Sequence, residues 1–283
     1  MSMNLTASEQ LTFSTVRIEC QLQTGEISTG TGFFFRFLDD GNQFVPAIVT
    51  NKHVIEGAEY GQFHLNLADP SGQPSGQHEN FRIGQFESSW IKHPDLDVDL
   101  CILPIAEVLQ HVQALGKQVF FIALDKSLVP FAAELEQLTA LEDIIMIGYP
   151  NGIWDKVNNK PIIRRGITAT HPNLPYEGKQ EFMIDAACFP GSSGSPVFLF
   201  NMGGYASRDG NMIIGTRIKL LGVLYAGPQH TATGEIRVVN IPTQQRPVAI
   251  SRIPNNLGLI IKAQRLLEFD GILQGLTQQG KNP

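Results

Sequence analysis

The apolar residues of this chain keep two different periods, and the switch between them divides it in three. Val16, Ile18, Cys20 and Leu22 alternate with Arg17, Glu19, Gln21 and Gln23, the period of a strand with one buried face. Further apolar runs follow at residues 27–38, 44–50, 62–67 and 98–103, separated by turn signals such as Thr24-Gly25 and Asp40-Gly41-Asn42. From Ile105 the spacing becomes helical. Ile105, Val108, Leu109, Val112 and Leu115 share one helix face, and Gly116 stands where that helix would end. A second short helix is expected over residues 131–141. Strands then return at 143–149, 161–170, 182–187, 197–200, 219–226 and 258–261, and residues 262–273 read as an amphipathic helix.

Six or so strands on either side of a helical connection predict an all-β fold of two small antiparallel β-barrels, since closure leaves no exposed sheet edge. The expected units are an N-terminal barrel over residues 1–104, a helical connection over 105–141, and a C-terminal barrel with its terminal helix over 142–283. Composition agrees, because 27 Gly, 17 Pro and 17 Phe suit many short strands joined by turns rather than a helical bundle. Residues 68–80, polar and turn-rich, are expected to form a surface loop carrying His78.

With 283 residues, 42% of them hydrophobic and 17% charged, the chain can fill one large or two modest cores. Its 21 basic residues are scattered among 27 acidic ones, for a formal charge of -6, which excludes a basic nucleic-acid-binding face. No apolar stretch approaches the roughly 18 to 20 residues that cross a bilayer, so no membrane partner is expected. The start MSMNLTASEQ lacks the pattern of a signal peptide, and a cytoplasmic protein is expected. Cys20, Cys101 and Cys188 lie far apart in apolar surroundings, with neither a disulfide framework nor zinc-ligand spacing. No metal or other cofactor is expected.

The sharpest local signal is Pro190-Gly191-Ser192-Ser193-Gly194-Ser195-Pro196. A serine flanked by glycines suits a nucleophile on a tight turn, where backbone must approach a reacting carbonyl closely. The N–H groups of Gly191 and Ser193 could then pair as an oxyanion hole. A plain Gly/Ser hairpin loop would look the same locally, so partners decide. A serine hydroxyl needs a base, and histidine is the usual one. Of seven histidines, His64 alternates with Phe63 and Leu65 and is expected to face solvent. His78 and His230 fall in polar loops, His93 and His171 precede prolines, and His111 sits among helical positions. His53 differs, because it follows the apolar strand ending at Thr50 and opens the turn beyond it. The carboxylate that would orient it is sought among Asp95, Asp97 and Asp99. Asp99 alone runs directly into an apolar strand, Leu100-Cys101-Ile102-Leu103, and should be the most buried. The order His53, Asp99, Ser193 is the one found on double β-barrels.

Thr50-Asn51-Lys52-His53-Val54, Asp99-Leu100-Cys101-Ile102-Leu103 and Gly191-Ser192-Ser193-Gly194-Ser195-Pro196 resemble the three signature segments of trypsin-like (chymotrypsin-fold) serine proteases. Gly30-Thr31-Gly32-Phe33, Ile147-Gly148-Tyr149-Pro150 and Leu257-Gly258-Leu259-Ile260-Ile261 are similar to the bacterial branch, which includes HtrA-type proteases and glutamyl endopeptidases. The resemblance covers roughly residues 12 to 270 and implies an active site in the cleft between two six-stranded barrels. It departs from animal trypsins at Ser192, where they carry an aspartate that pairs with the freshly cut N-terminus. An oxyanion hole formed without that ion pair, or only on partner binding, is implied. The peptide-binding PDZ domain that usually follows in HtrA-type proteins is not expected here.

The same resemblance places Ala187 at the base of the primary specificity pocket and Cys188 on its wall, with no carboxylate to hold a substrate Arg or Lys. Leu224 stands where glutamyl endopeptidases place a histidine, and Tyr225, Ala226 and Gly227 would pair with substrate backbone. Cleavage after small or medium apolar residues is expected. The reading is thus a serine endopeptidase acting on peptide or protein substrates, its oligomeric state open. Two rivals are kept. One is a non-catalytic, protease-like binding module; the other is a protease inactive until a partner binds.

Overall fold

Strand alternation and turn residues build the first sheet. In the computed structural model of the protein, which describes residues 5–233 and 250–279, the helix α1 (Ala7–Thr12) is capped by Thr6, and Glu9 reaches back to the Thr6 N–H. The strands β1 (Thr15–Leu22), β2 (Ile27–Phe37) and β3 (Val45–Thr50) follow, and β3 leads into the one-turn helix α2 (Lys52–Ile55). A hairpin of β4 (Ala58–Ala68) and β5 (Pro74–Gly84), then β6 (Ile91–Lys92) and β7 (Cys101–Pro104), complete an antiparallel sheet ordered β5-β4-β1-β2-β3-β7-β6. Its strands number seven because β6, two residues long, adds to β7 at one edge.

Residues 68–80 are not one loop. The turn is confined to 69–73, where the Asp69 carboxylate accepts from the N–H groups of Ser71 and Gln73, and β5 begins at Pro74. This strand pairs with β4 alone and its first half is largely exposed, so no apolar alternation marks it before Phe81 and Ile83. His78 therefore sits on a strand. The polar face of β1 also departs from expectation, since Arg17 is buried with its guanidinium 5.7 Å from the Trp154 ring. The segment carrying Trp154 covers that face.

The connection contains α3 (Ala106–Ala114), closed by Gly116 at φ +73°, and α4 (Ala132–Glu136). The second helix is shorter than its apolar spacing suggests. Beyond it, β8 (Asp143–Gly148), β9 (Ile162–Thr168), β10 (Glu181–Asp185) and β11 (Pro196–Asn201) precede a small hairpin of β12 (Tyr205–Ala206) and β13 (Met212–Ile213). Next come β14 (Arg217–Ala226), a hairpin of β15 (Gln229–Thr233) and β16 (Ile250–Pro254), and β17 (Leu257–Lys262). Six of these strands close a barrel in the order β10-β17-β14-β11-β8-β9. The terminal helix α5 (Glu268–Gln279) starts later and reaches further than residues 262–273, because 263–267 form a tighter 3₁₀ turn.

A closed six-stranded antiparallel barrel beside a second antiparallel sheet is consistent with a chymotrypsin-like double-barrel fold. Cores inside each unit centre on Ile18, Phe63 and Phe86 in the first and on Met146, Phe182 and Val197 in the second. A third cluster joins them. There Phe33, Phe35 and Phe37 of β2 meet Ile147, Phe198 and Val223 of the barrel and Phe269 of α5. Phe33, Phe35 and Phe37 are each at most 1% exposed, a burial that stabilises by about 1.5–3 kcal/mol per side chain. Cys20, Cys101 and Cys188 are all free thiols. No helix among the described residues is long and apolar enough to cross a membrane.

Candidate active site

The end of β3 and the start of β7 bring the histidine and the aspartate together. Asn51 donates from Nδ2 to the Asp99 carbonyl at 2.7 Å, tying the two segments, and the His53 backbone N–H donates to Asp99 Oδ1 at 3.2 Å. The ring then lies with Nδ1 2.5 Å from Asp99 Oδ2. An ionised carboxylate only accepts, so this contact assigns the ring proton to Nδ1 and leaves the lone pair on Nε2. Asp95 and Asp97 are exposed, whereas the Asp99 side chain is 23% exposed. Asp95 serves the turn instead, binding Lys52 through its carbonyl and Arg265 through its carboxylate.

The other histidines lie elsewhere in the fold. His64 is half-buried rather than solvent-facing, its ring tilted against Trp154 with centroids 4.7 Å apart, and His78 Nε2 meets the Lys156 carbonyl at 3.0 Å. Buried His93 contacts Glu268, His111 lies in α3, and His171 Nδ1 accepts from the Asn173 N–H. The backbone of His230 is in β15, and its side chain lies outside the described residues.

The serine turn needs its glycines. Gly191 and Gly194 have φ of +82° and +85°, and a Cβ on Gly191 would come within 2.7 Å of the Tyr149 carbonyl. A Cβ on Gly194 would overlap the Thr31 carbonyl. Of the three serines, Ser192 and Ser195 are 0% exposed, and only Ser193 is partly open to solvent. Every carbonyl from 190 to 193 is engaged. Pro190 accepts from the Asn151 N–H, Gly191 from Thr31 Oγ1, Ser192 from the Ser195 N–H and Ser193 from the Thr31 N–H. The Ser192 N–H bonds to the Phe189 carbonyl, while those of Gly191 and Ser193 meet no protein acceptor among the described residues.

Ser193 Oγ makes no hydrogen bond to His53 among the described contacts. The two are linked through β2: the Thr31 carbonyl accepts from Thr50 Oγ1 at 2.7 Å, two residues before Lys52, while the Thr31 N–H reaches Ser193 at 2.9 Å. Neither Thr31 nor Asn51 stands out as a site residue in the sequence, although Thr31 lies between two glycines. Arg164 was also hidden. Its Nη1 donates to the Ala187 carbonyl at 2.5 Å and to Ser192 Oγ at 2.8 Å, and no local pattern in Ile162-Ile163-Arg164-Arg165 signals it.

Around the turn, Ala187 and Cys188 are half-buried, and burial pushes the Cys188 thiol up to about 11. Gly258 makes room there, since a Cβ on it would come within 2.6 Å of Cys188 Sγ and 2.7 Å of Leu224 Cδ1. Leu224 itself is only 3% exposed and belongs to the barrel core. Tyr225 is half-buried, donating from its hydroxyl to Glu181 Oε2 at 2.9 Å. Desolvation first, then the Glu181 and Asp99 charges, raise its hydroxyl pKa. Ala226 is half-buried and Gly227 exposed.

The sequence profile of the trypsin-like peptidase domain matches residues 30–204, a span that includes His53, Asp99 and Ser193. The chain belongs to the trypsin-like peptidase family. Among curated proteins nothing matches. Solved structures similar to this peptidase include the HtrA-type protease AlgW with a tripeptide, at 15% identity and a TM-score of 0.48 over 95% of this chain and 62% of that one. A serine endoprotease from Yersinia pestis aligns at 15% identity and a TM-score of 0.47, over 98% of this chain and 68% of that one. Rv3671c from M. tuberculosis H37Rv, in a mutant inactive form, aligns at 16% identity and a TM-score of 0.41, over 95% and 88%. This trypsin-like peptidase thus spans 62% of the length of the AlgW chain.

Proposed function

We propose that this trypsin-like peptidase is a serine endopeptidase that hydrolyses peptide bonds through an acyl-enzyme. The observation that carries the reading is the His53–Asp99 pair, which fixes the imidazole with its proton on Nδ1 and its lone pair on Nε2. Ser193 Oγ attacks the substrate carbonyl carbon as His53 Nε2 takes its proton, and Asp99 stabilises the imidazolium. The N–H groups of Gly191 and Ser193, unengaged among the described residues, would receive the oxyanion. Collapse of the tetrahedral intermediate expels the amine, which takes the proton from His53. Water then attacks the acyl-enzyme by the same route and releases the acid.

Substrate would add as a strand beside residues 225–227. Ala187 and Cys188 would line a small, mainly apolar pocket, and the Arg164 cation bonded to the Ala187 carbonyl would oppose a basic side chain. Both features support cleavage after small or medium apolar residues. Replacing Ser193 by Ala should leave thermal unfolding unchanged and lower kcat by on the order of 10⁶. Retained turnover in that variant would overturn the assignment, and dominant cleavage after Arg, Lys or Glu in a peptide library would overturn the specificity.

A further inference from the structure

We propose that Arg164 is a positioning residue for the oxyanion-binding turn, holding Ser192 so that the N–H groups of Gly191 and Ser193 stay turned away from the protein's own acceptors. The inference rests on the endopeptidase reading. One nitrogen, Nη1, bridges the two ends of the segment 187–192, at the Ala187 carbonyl (2.5 Å) and at Ser192 Oγ (2.8 Å). The first contact fixes the strand end that leads out of β10. The second fixes the residue that separates the two N–H donors.

The turn needs such a hold. Two neighbouring backbone N–H groups without protein partners are costly where water is scarce, and a turn left to itself relaxes by rotating peptides until they find acceptors. Here rotation is opposed from two directions. Thr31 of β2 ties the carbonyls of Gly191 and Ser193 from the first sheet. Arg164 of β9 ties the Ser192 side chain from within the second barrel. Beside them, the Asn151 N–H holds the Pro190 carbonyl at the start of the turn.

The choice of arginine is informative. Its guanidinium is largely buried, and no carboxylate pairs with it among the described residues. Nε and Nη2 find no acceptor there. Burial lowers its pKa to about 10, which leaves it a cation at neutral pH. An unpaired buried cation is unfavourable for folding, and an apolar side chain would fill the space at lower cost. What the cation supplies is a pair of charge-assisted hydrogen bonds, shorter and more rigid than neutral ones.

The test compares the wild type with Ser192→Ala, Arg164→Met and the double variant. It reads the rate of labelling by a fluorophosphonate, kcat and KM for a fluorogenic peptide, and thermal unfolding. Each single variant should lower both the labelling rate and kcat by about 10- to 100-fold, below the loss of a whole oxyanion donor, with KM within about twofold. The double variant should fall no further than the worse single one, because Ser192→Ala cuts one of the two links that Arg164→Met removes. Ser192→Ala removes a single atom, so it keeps the test decisive if Arg164→Met does not fold. Wild-type kinetics in Ser192→Ala, or additive losses in the double variant, would overturn the inference. So would a loss expressed only in KM, which would make Arg164 a substrate ligand. A folded wild type that resists labelling would overturn the endopeptidase reading itself, and this inference with it.

Discussion

His53 presents its ring Nδ1 to Asp99 Oδ2 at 2.5 Å and its backbone N–H to Oδ1 of the same carboxylate at 3.2 Å. One side chain therefore sets both the position of the histidine and the tautomer of its ring. Asp99→Asn keeps the shape but offers an N–H donor to Nδ1, which drives the proton to Nε2 and removes the base. We expect kcat for peptide hydrolysis to fall by about 10⁴ with unfolding unchanged. A kcat within tenfold of wild type would show that the pair plays no part in turnover.

Thr31 is the buried hinge between the two units. Its Oγ1 donates to the Gly191 carbonyl at 2.9 Å and accepts from the Tyr149 N–H at 3.0 Å. Thr31→Val has nearly the same volume and leaves both backbone groups without that partner. A stability loss of about 2–4 kcal/mol is expected, from two orphaned buried groups, and it should appear as a lower denaturant midpoint. Thr31→Ser, which keeps the hydroxyl, should recover most of it. Equal midpoints for Val and wild type would contradict this role.

His93 should make stability sensitive to mild acid. Nδ1 accepts from the Asp95 N–H and Nε2 faces Glu268, with Arg265 and Lys52 also near. Desolvation outweighs the Glu268 attraction and holds its pKa below the ordinary histidine value of 6.5. The unfolded chain therefore binds the proton first as pH falls. The contribution is fully present above about pH 6.5 and is lost as pH falls through the folded-state value. Denaturant unfolding at a series of pH values should show stability dropping below pH 6.5, with a shallower slope in His93→Gln. An identical slope in the variant would contradict the assignment.

What the sequence made legible follows from where each element faces. β1, β2, β3 and β8 each turn at least one face to a core, so their apolar residues alternate or cluster visibly. β5 was hidden because Pro74–Gly84 is an edge strand held by backbone bonds to β4, and its first seven residues carry no large apolar side chain but Pro74; Phe81 and Ile83 at its end are the ones that reach the core. In the candidate site, the Ser193 turn was visible because positive φ demands Gly191 and Gly194. Asp99 was marked by the apolar strand it enters. Arg164 and Thr31 were not, since their partners stand 28 and 160 residues away and no local pattern reports such contacts.

The most direct test of the account is covalent labelling of the native protein with a fluorophosphonate, followed by peptide mass mapping. One phosphonyl group on Ser193, absent in His53→Ala, is the predicted result. No adduct on the folded protein, or an adduct elsewhere with Ser193 unmodified, would contradict it.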